Sequence, residues 1–449
     1  MQRRDLMKLS AAALAASSAP LSASDKSQNS SKLHAPVLGP RMNFHQADKV
    51  MAELGLDAMV LGQGMNVGQA SGIRPVTSRM GLATPALVIV KRSASDRLAI
   101  ITSAFGYYFL LADRLSSSTI PAYLYTGPGA DVDQNPDSVM PPLTFADRGD
   151  APIDTIESTR VEALQKALAE QGTFADTAKA LARALKDMGL ADARIASDHP
   201  AVSADLAKAA PKATVVDAAD ALRQIRPVKS DSEIVLMRQA AEGNVRAARA
   251  ALKTIRAGGS YRDLRAAFYS EAALLGQRGV FMVIDRISDE LHDSRFADGQ
   301  ALMIDCVSEY QGYHGDYGRT VFLGEPTKSM KQATKVMAEA WSGLRERLKP
   351  GQRFSDISAM GQQSLKAAGK RYQIPFGPHT VGLLHSDHLD PTGVNRPMDV
   401  TLEPGMVLSV DCPLLETGIG GSAHLEDLML ITDSGAQPLH DIGDPVIVI

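Results

Sequence analysis

An α/β half followed by an α+β half is the fold this sequence predicts, and three observations predict it. From about Gly39 to Arg226, helix-period and strand-period segments alternate, as a sheet covered by helices requires. Beyond that point, strands of alternating polarity follow one another with helices grouped beside them, the α+β pattern. At 449 residues, 45% of them hydrophobic, the chain is long enough to bury two cores. A net charge of −4 gives no reason to expect nucleic acid or an anionic membrane surface as partner, so a small molecule or peptide suits it better.

The first residues read as an address. Arg3 and Arg4 precede a modest apolar run, Leu9 to Ala19, and Ser22, Ala23 and Ser24 offer a small-residue cleavage site. Paired arginines with a trailing Lys8 resemble a bacterial twin-arginine signal, a disordered basic tail being the alternative. The run is too short and too rich in Ala and Ser to span a membrane. The expectation is a signal at residues 1–24, a polar tether at 25–38, periplasmic or exported localisation, and no membrane span once the signal is removed.

The amino-terminal domain is expected over residues 39–225. Phe44 to Leu54 is amphipathic, and strands are expected at 56–62, 86–92, 97–103 and 193–198. Helices are expected from Ser158 to Gln171, Ala175 to Met188 and Ala201 to Ala210, with a long surface loop between Asp113 and Pro152. No metal cluster, phosphate loop or nucleophile elbow is legible here. The boundary falls at IRPVKSDSEI, 225 to 234, where Ser230 or Ser232 can cap a helix running from Glu233 to Ile255. Residues 226–449 form the second domain, with further helices at Tyr261 to Leu275, Ser329 to Leu348 and Ser355 to Ala368.

Chemistry concentrates in that second domain. Residues 301–324 read as a hairpin with one carboxylate in each strand, Asp305 and Asp316, expected on the same side. A buried ionised Asp is costly unless paired or bound to metal, so the hairpin suggests a cation, or else a turn cap or a partner such as Arg319. FGPHTVGLLHSDHLD (376–390) adds His379, His385 and His388. EPGMVLSVDCPLL (403–415) aligns Val407, Ser409 and Asp411 on one face of a strand, and SAHLEDLMLIT (422–432) does so for His424, Glu426, Leu428 and Leu430. Each fragment alone has an ordinary explanation, as a core histidine or a capping acid.

Taken in order, these fragments resemble the pita-bread metallopeptidases, which include aminopeptidase P, prolidase and methionine aminopeptidase, with creatinase as a metal-free relative. IDCVSEYQGYHGDYGRT is similar to the family's double-Asp hairpin, LEPGMVLSVD to its next ligand strand and HLEDLMLIT to its last. LRQIRPVKSDSEIVLMRQAA resembles the start of the family's catalytic domain, and the amino-terminal half is similar only in size and pattern. The resemblance implies an α/β amino-terminal domain and an α+β pita-bread catalytic domain, an antiparallel sheet with flanking helices. It implies Asp305 on one metal, Asp316 and Glu426 bridging two, and His379 with Asp411 completing the other site. Four carboxylates and one neutral imidazole match two divalent cations in charge. An oxygen-rich shell favours Mn²⁺, with Zn²⁺, Co²⁺ or Fe²⁺ as alternatives. The implied activity is hydrolysis near a peptide's amino terminus, at Xaa-Pro bonds, by a hydroxide bridging the metals. The implied partners are a small peptide substrate and a second copy of the chain, in a dimer.

Several positions depart from the family's pattern. Asp411 stands where Glu is usual, a residue that resembles a proton shuttle as well as a ligand. Pro375 occupies a position where the hydrolases often have His, and His424 replaces an Arg. The substrate-facing histidine is expected at His385, with His388 the second choice, and another is expected upstream at His292. Cys306 and Cys412 each follow a proposed ligand and are expected to point away as small buried hydrophobes, a disulfide between them being the alternative. Two other classes stay open: a creatinase-like, metal-independent hydrolase of a small amidine, and a non-catalytic binding module on the same fold.

Overall fold

The computed structural model describes residues 39–74, 77, 86–115, 119–126, 149, 151–368, 372–387, 398–415 and 418–449. The signal and tether expected at 1–38, most of the loop expected at 113–152, and His388 lie outside the described residues. Residues Pro36–Ile449 form one compact unit.

Its amino-terminal part is built on a seven-stranded sheet. In chain order the strands are β1 (Ala58–Leu61), β2 (Ala86–Lys91), β3 (Leu98–Ser103), β4 (Ala122–Tyr125), β5 (Thr173–Phe174), β6 (Arg194–Ser197) and β7 (Thr214–Asp217). Across the sheet they run β5-β4-β3-β2-β1-β6-β7. The central β1, β2 and β3 are antiparallel neighbours, and the outer pairings are parallel. Separate apolar clusters pack its two faces, one including Phe44–Glu53 residues Val50 and Met51, the other including Leu181 and Leu185 of helix Thr177–Asp187. This is the expected α/β layering, with additions. The expected loop contains strand β4, and the helix Ala112–Leu115 runs into its start; both are too short to show a period. The strands β5 and β7 and the helices Gly64–Ser71 and Ala219–Ile225 were likewise not legible.

The second part begins with a helix, Asp231–Leu252, closed by a capping box: Ser230 accepts from the Glu233 N–H while the Glu233 carboxylate accepts from the Ser230 N–H. Strands follow as β8 (Arg278–Ile284), β9 (Ala301–Tyr310), β10 (Tyr313–His314) and β11 (Tyr317–Phe322). They join β14 (Glu426–Asp427) and β17 (Val446–Val448) in a six-stranded sheet. A four-stranded antiparallel sheet orders β12 (Gly377–Thr380), β13 (Val407–Asp411), β15 (Met429–Thr432) and β16 (Gly435–Pro438). Helices Asp231–Leu252 and Tyr261–Leu274 pack on the first sheet, and Lys328–Arg345 with Phe354–Ala367 bury a core that includes Leu408 and Val410 of the second. The antiparallel α+β expectation holds except at β17, which pairs parallel with β11.

Two local expectations need correction. Asp316 sits just before β11 rather than within it, because the chain turns through Gly315 between β10 and β11. The stretch 422–432 is not one strand: it breaks at Leu428, so that β14 belongs to one sheet and β15 to the other. An unbroken alternation in sequence cannot show that pairing partners change halfway.

Candidate metal centre

The centre forms where that strand break carries the chain between the two sheets. In the first sheet, Asp305 of β9 lies opposite Gly318 of β11, and Gly318 lies opposite Glu426 of β14. Neighbouring strands are about 4.8 Å apart, so the row carboxylate, glycine, carboxylate leaves a gap between the two acids. A Cβ on Gly318 would come within 2.2 Å of the His424 ring carbon Cδ2 and 2.8 Å of the Glu426 Cβ. The glycine is therefore what lets the imidazole settle between the acids.

The second sheet supplies the other wall. His379 of β12 is registered opposite Ser409 of β13, and Asp411 ends the same strand. Ser409 Oγ donates to Glu426 Oε1 at 2.5 Å, and His379 Nε2 lies 3.3 Å from the same oxygen. His379 Nε2 also lies 3.5 Å from Asp411 Oδ2 and 3.6 Å from Asp316 Oδ2. Its Nδ1 is 3.1 Å from the His385 carbonyl, which orients the ring. On the far side, His424 Nε2 is 3.1 Å from Glu426 Oε2 and 3.5 Å from Asp411 Oδ1. His385 Nε2 approaches Asp316 Oδ2 to 3.2 Å.

Burial sets the electrostatics. It raises Asp316 well above the usual carboxylate range, and the Glu426 charge adds to the effect. The same two causes lift Asp305 to about 6 and Asp411 to about 7. Glu426 goes the other way: burial opposes its charge, but the hydrogen bonds with His379 and His424 outweigh burial and hold it well below its ordinary value. Burial likewise opposes charge on those two rings, and their contacts with Glu426 and the other acids push both up to about 10. His385 is lowered, first by burial and then by the His379 charge. In the protein alone, protons neutralise a cluster that otherwise concentrates negative charge.

Divalent cations fit the same task. Asp305 Oδ1, both Asp316 carboxylate oxygens and His424 Nδ1 are buried without a hydrogen-bond partner. Unsatisfied buried carboxylate oxygens are costly, and cation coordination satisfies them. Three groups of potential ligand atoms converge within 4.8 Å: Asp316 with His379 and His385, Asp305 with His424 and Glu426, and His379 with Asp411 and Glu426. The donors are oxygen-rich with imidazole, a set that suits Mn²⁺, Fe²⁺, Co²⁺ or Zn²⁺.

Residues 235–433 match the family model for metallopeptidase family M24. The chain carries an M24 domain, of the pita-bread type. The probable dipeptidase PepE of Mycobacterium tuberculosis is 27% identical over 242 residues, covering 52% of this chain and 63% of the relative. The Xaa-Pro dipeptidase of Pyrococcus furiosus is 27% identical over 237 residues, 49% of this chain and 65% of its own. The chain thus spans just under two thirds of these relatives' lengths. Among solved structures, the prolidase from Pyrococcus horikoshii superposes with a TM-score of 0.62 at 18% identity, over 90% of this chain and 99% of that one. The X-Pro aminopeptidase from Thermotoga maritima gives 0.60 at 16%, over 90% and 99%. These likenesses extend over both halves and show the fold.

In the M24 domain the five expected ligands, Asp305, Asp316, His379, Asp411 and Glu426, come together, and His385 joins them. His292 does not: it is exposed, and its backbone carbonyl accepts from Arg265. Arg319 pairs with neither hairpin Asp. It is fully buried, donates to Asp427 Oδ1 at 2.6 Å and to the Glu426 carbonyl at 2.8 Å, and so ties β11 to β14. Cys306 and Cys412 are free, buried in separate apolar clusters. Sequence reasoning placed Ser409 and His424 on the same strand faces as Asp411 and Glu426 by their period-two spacing but gave them no role in the centre.

Proposed function

We propose that this chain is a dimetal-dependent peptidase that hydrolyses bonds near the amino terminus of small peptides, with preference for Xaa-Pro. The observation that carries the reading is that four carboxylates and His379 fall into three groups of converging ligand atoms linked through His379 and Glu426, with orphaned Asp305 and Asp316 oxygens among them. The relatives' names, dipeptidase and Xaa-Pro dipeptidase, support the substrate class. Asp305, Asp316 and Glu426 would hold one cation, and Asp316, Glu426, His379 and Asp411 the other, with Mn²⁺ the first candidate. Bound there, the cations supply Lewis acidity and lower the pKa of water.

The chain's own residues do the rest. Ser409 and the two histidines orient Glu426 before any ligand arrives. Asp411 is 37% exposed, the carboxylate of this set most open to solvent, and can take a proton from the attacking water and return it to the leaving amine. His385, equally exposed, can hydrogen-bond the substrate carbonyl. The mature protein is exported and dimeric in this reading.

The test is metal content by mass spectrometry on the purified chain and on Asp316→Ala, with turnover of an Xaa-Pro dipeptide and an Xaa-Pro-Xaa tripeptide in Mn²⁺. About two metals per chain, lost with activity in the variant, is the expected result, and the two peptides separate dipeptidase from aminopeptidase. A metal-free chain that turns over neither peptide would remove the reading and leave the creatinase-like hydrolase and the binding module.

A further inference from the structure

We infer that His424 is itself a metal ligand, so that the centre carries a second imidazole, on the Asp305 side, in addition to His379. This deepens the dimetal reading and rests on it. The position is one where the family resemblance leads to an expectation of Arg, and an arginine cannot ligate a cation.

Three observations support the assignment independently of one another. His424 shares with Asp305 and Glu426 a group of potential ligand atoms that lie within 4.8 Å of each other. Its ring is only 1% exposed, and Nε2 stands 3.1 Å from Glu426 Oε2 and 3.5 Å from Asp411 Oδ1, so that nitrogen is aimed among the expected metal ligands. And the seat is built for a flat ring: at Gly318 even one added carbon would lie 2.5 Å from His424 Nε2.

Two of the departures from the family pattern also approach each other. Asp411 is one methylene shorter than the usual Glu, and His424 Nε2 stands 3.5 Å from its Oδ1. A longer acid and a long guanidinium side chain are exchanged for a shorter acid and a ring whose Nε2 lies within the cluster. The competing assignment is an imidazolium that bridges Glu426 and Asp411 as a purely structural cation. The two differ in what the ring does when metal is present: a ligand gives Nε2 to the cation, whereas a structural imidazolium keeps its proton and adds positive charge beside it. A second imidazole also shifts the site from Mn²⁺ towards Co²⁺, Fe²⁺ or Zn²⁺.

The experiment loads the mature full-length chain with Co²⁺, confirms two ions per chain by native mass spectrometry, and records the paramagnetically shifted exchangeable imidazole N–H signals by proton NMR. The expected result is that His424→Gln loses one such signal and binds one of its two cobalt ions at least tenfold more weakly. An unchanged set of shifted signals with both ions retained overturns the inference while leaving the dimetal reading intact. Fewer than two cobalt ions on the wild-type chain overturns both. If His424→Gln does not fold, X-ray absorption on the Zn²⁺-loaded His385→Ala chain counts the rings instead. An average of one imidazole per zinc supports His424, and one shared between two zincs overturns it.

Discussion

Glu426 is the residue on which the others depend, because both of its oxygens are already engaged: Ser409 and His379 meet Oε1, and His424 meets Oε2. Those contacts also make the metal-free protein sensitive to pH in a stated direction. His379 and His424 rise from 6.5 to about 10 on folding, so between those values the folded state binds more protons than the unfolded one. Their stabilisation is complete below about pH 6.5 and is lost as pH rises through 10. Asp305 and Asp411, raised to about 6 and about 7, act in the same sense at lower pH, whereas Glu426 and His385, both held low, contribute stability that disappears on acidification. The melting temperature of the chelator-treated protein should therefore fall from about pH 6.5 to 10. Metal binding displaces protons, so the stabilisation by added Mn²⁺ should widen over the same range. A melting temperature that climbs with pH in chelator would contradict the charge assignment.

At the scale of the element, the hold between β11 and β14 decides whether Glu426 is presented at all. Arg319 and Asp427 are a fully buried pair, and the second Asp427 oxygen accepts from the indole of Trp341, the chain's single tryptophan, at 3.1 Å. The guanidinium also stacks over the Tyr317 ring, 4.2 Å from its centroid. Removing one member of such a pair leaves an uncompensated buried charge, which costs about 3–5 kcal/mol. Arg319→Leu should show that loss in urea unfolding, together with weaker metal retention, because the Glu426 carbonyl loses its donor too. Unchanged unfolding would mean that Asp427 finds another partner. The identity of Arg319 as a possible partner was visible in the sequence; that it serves Asp427 rather than Asp305 or Asp316 was not. Its direction follows from the pairing of β11 with β14, a contact between residues about a hundred positions apart.

For the whole molecule, the centre sits between two sheets that the chain leaves and re-enters over 301–432, while the amino-terminal sheet is complete by Asp217. The export and dimer readings belong to this scale. A variant with Arg3→Lys and Arg4→Lys should leave the protein in the cytoplasm, whereas the unaltered chain should be recovered from the periplasm and sediment at twice its chain mass. Periplasmic recovery of the double variant would remove the twin-arginine reading.

What the sequence determined by itself is local or ordered along the chain. Helix boundaries followed from caps such as Ser230, strands β1, β2, β3 and β6 from short apolar runs, and the five expected ligands from the ordered resemblance to the pita-bread family. These signals need no knowledge of distant neighbours. The tertiary structure alone decided that Leu428 breaks a seemingly continuous strand, that Asp316 precedes β11, that His292 stays outside, and that Gly318 makes room for His424 between Asp305 and Glu426. Each of those depends on which strands pair and in what register, a choice made by burial of both sheets at once rather than by any one segment.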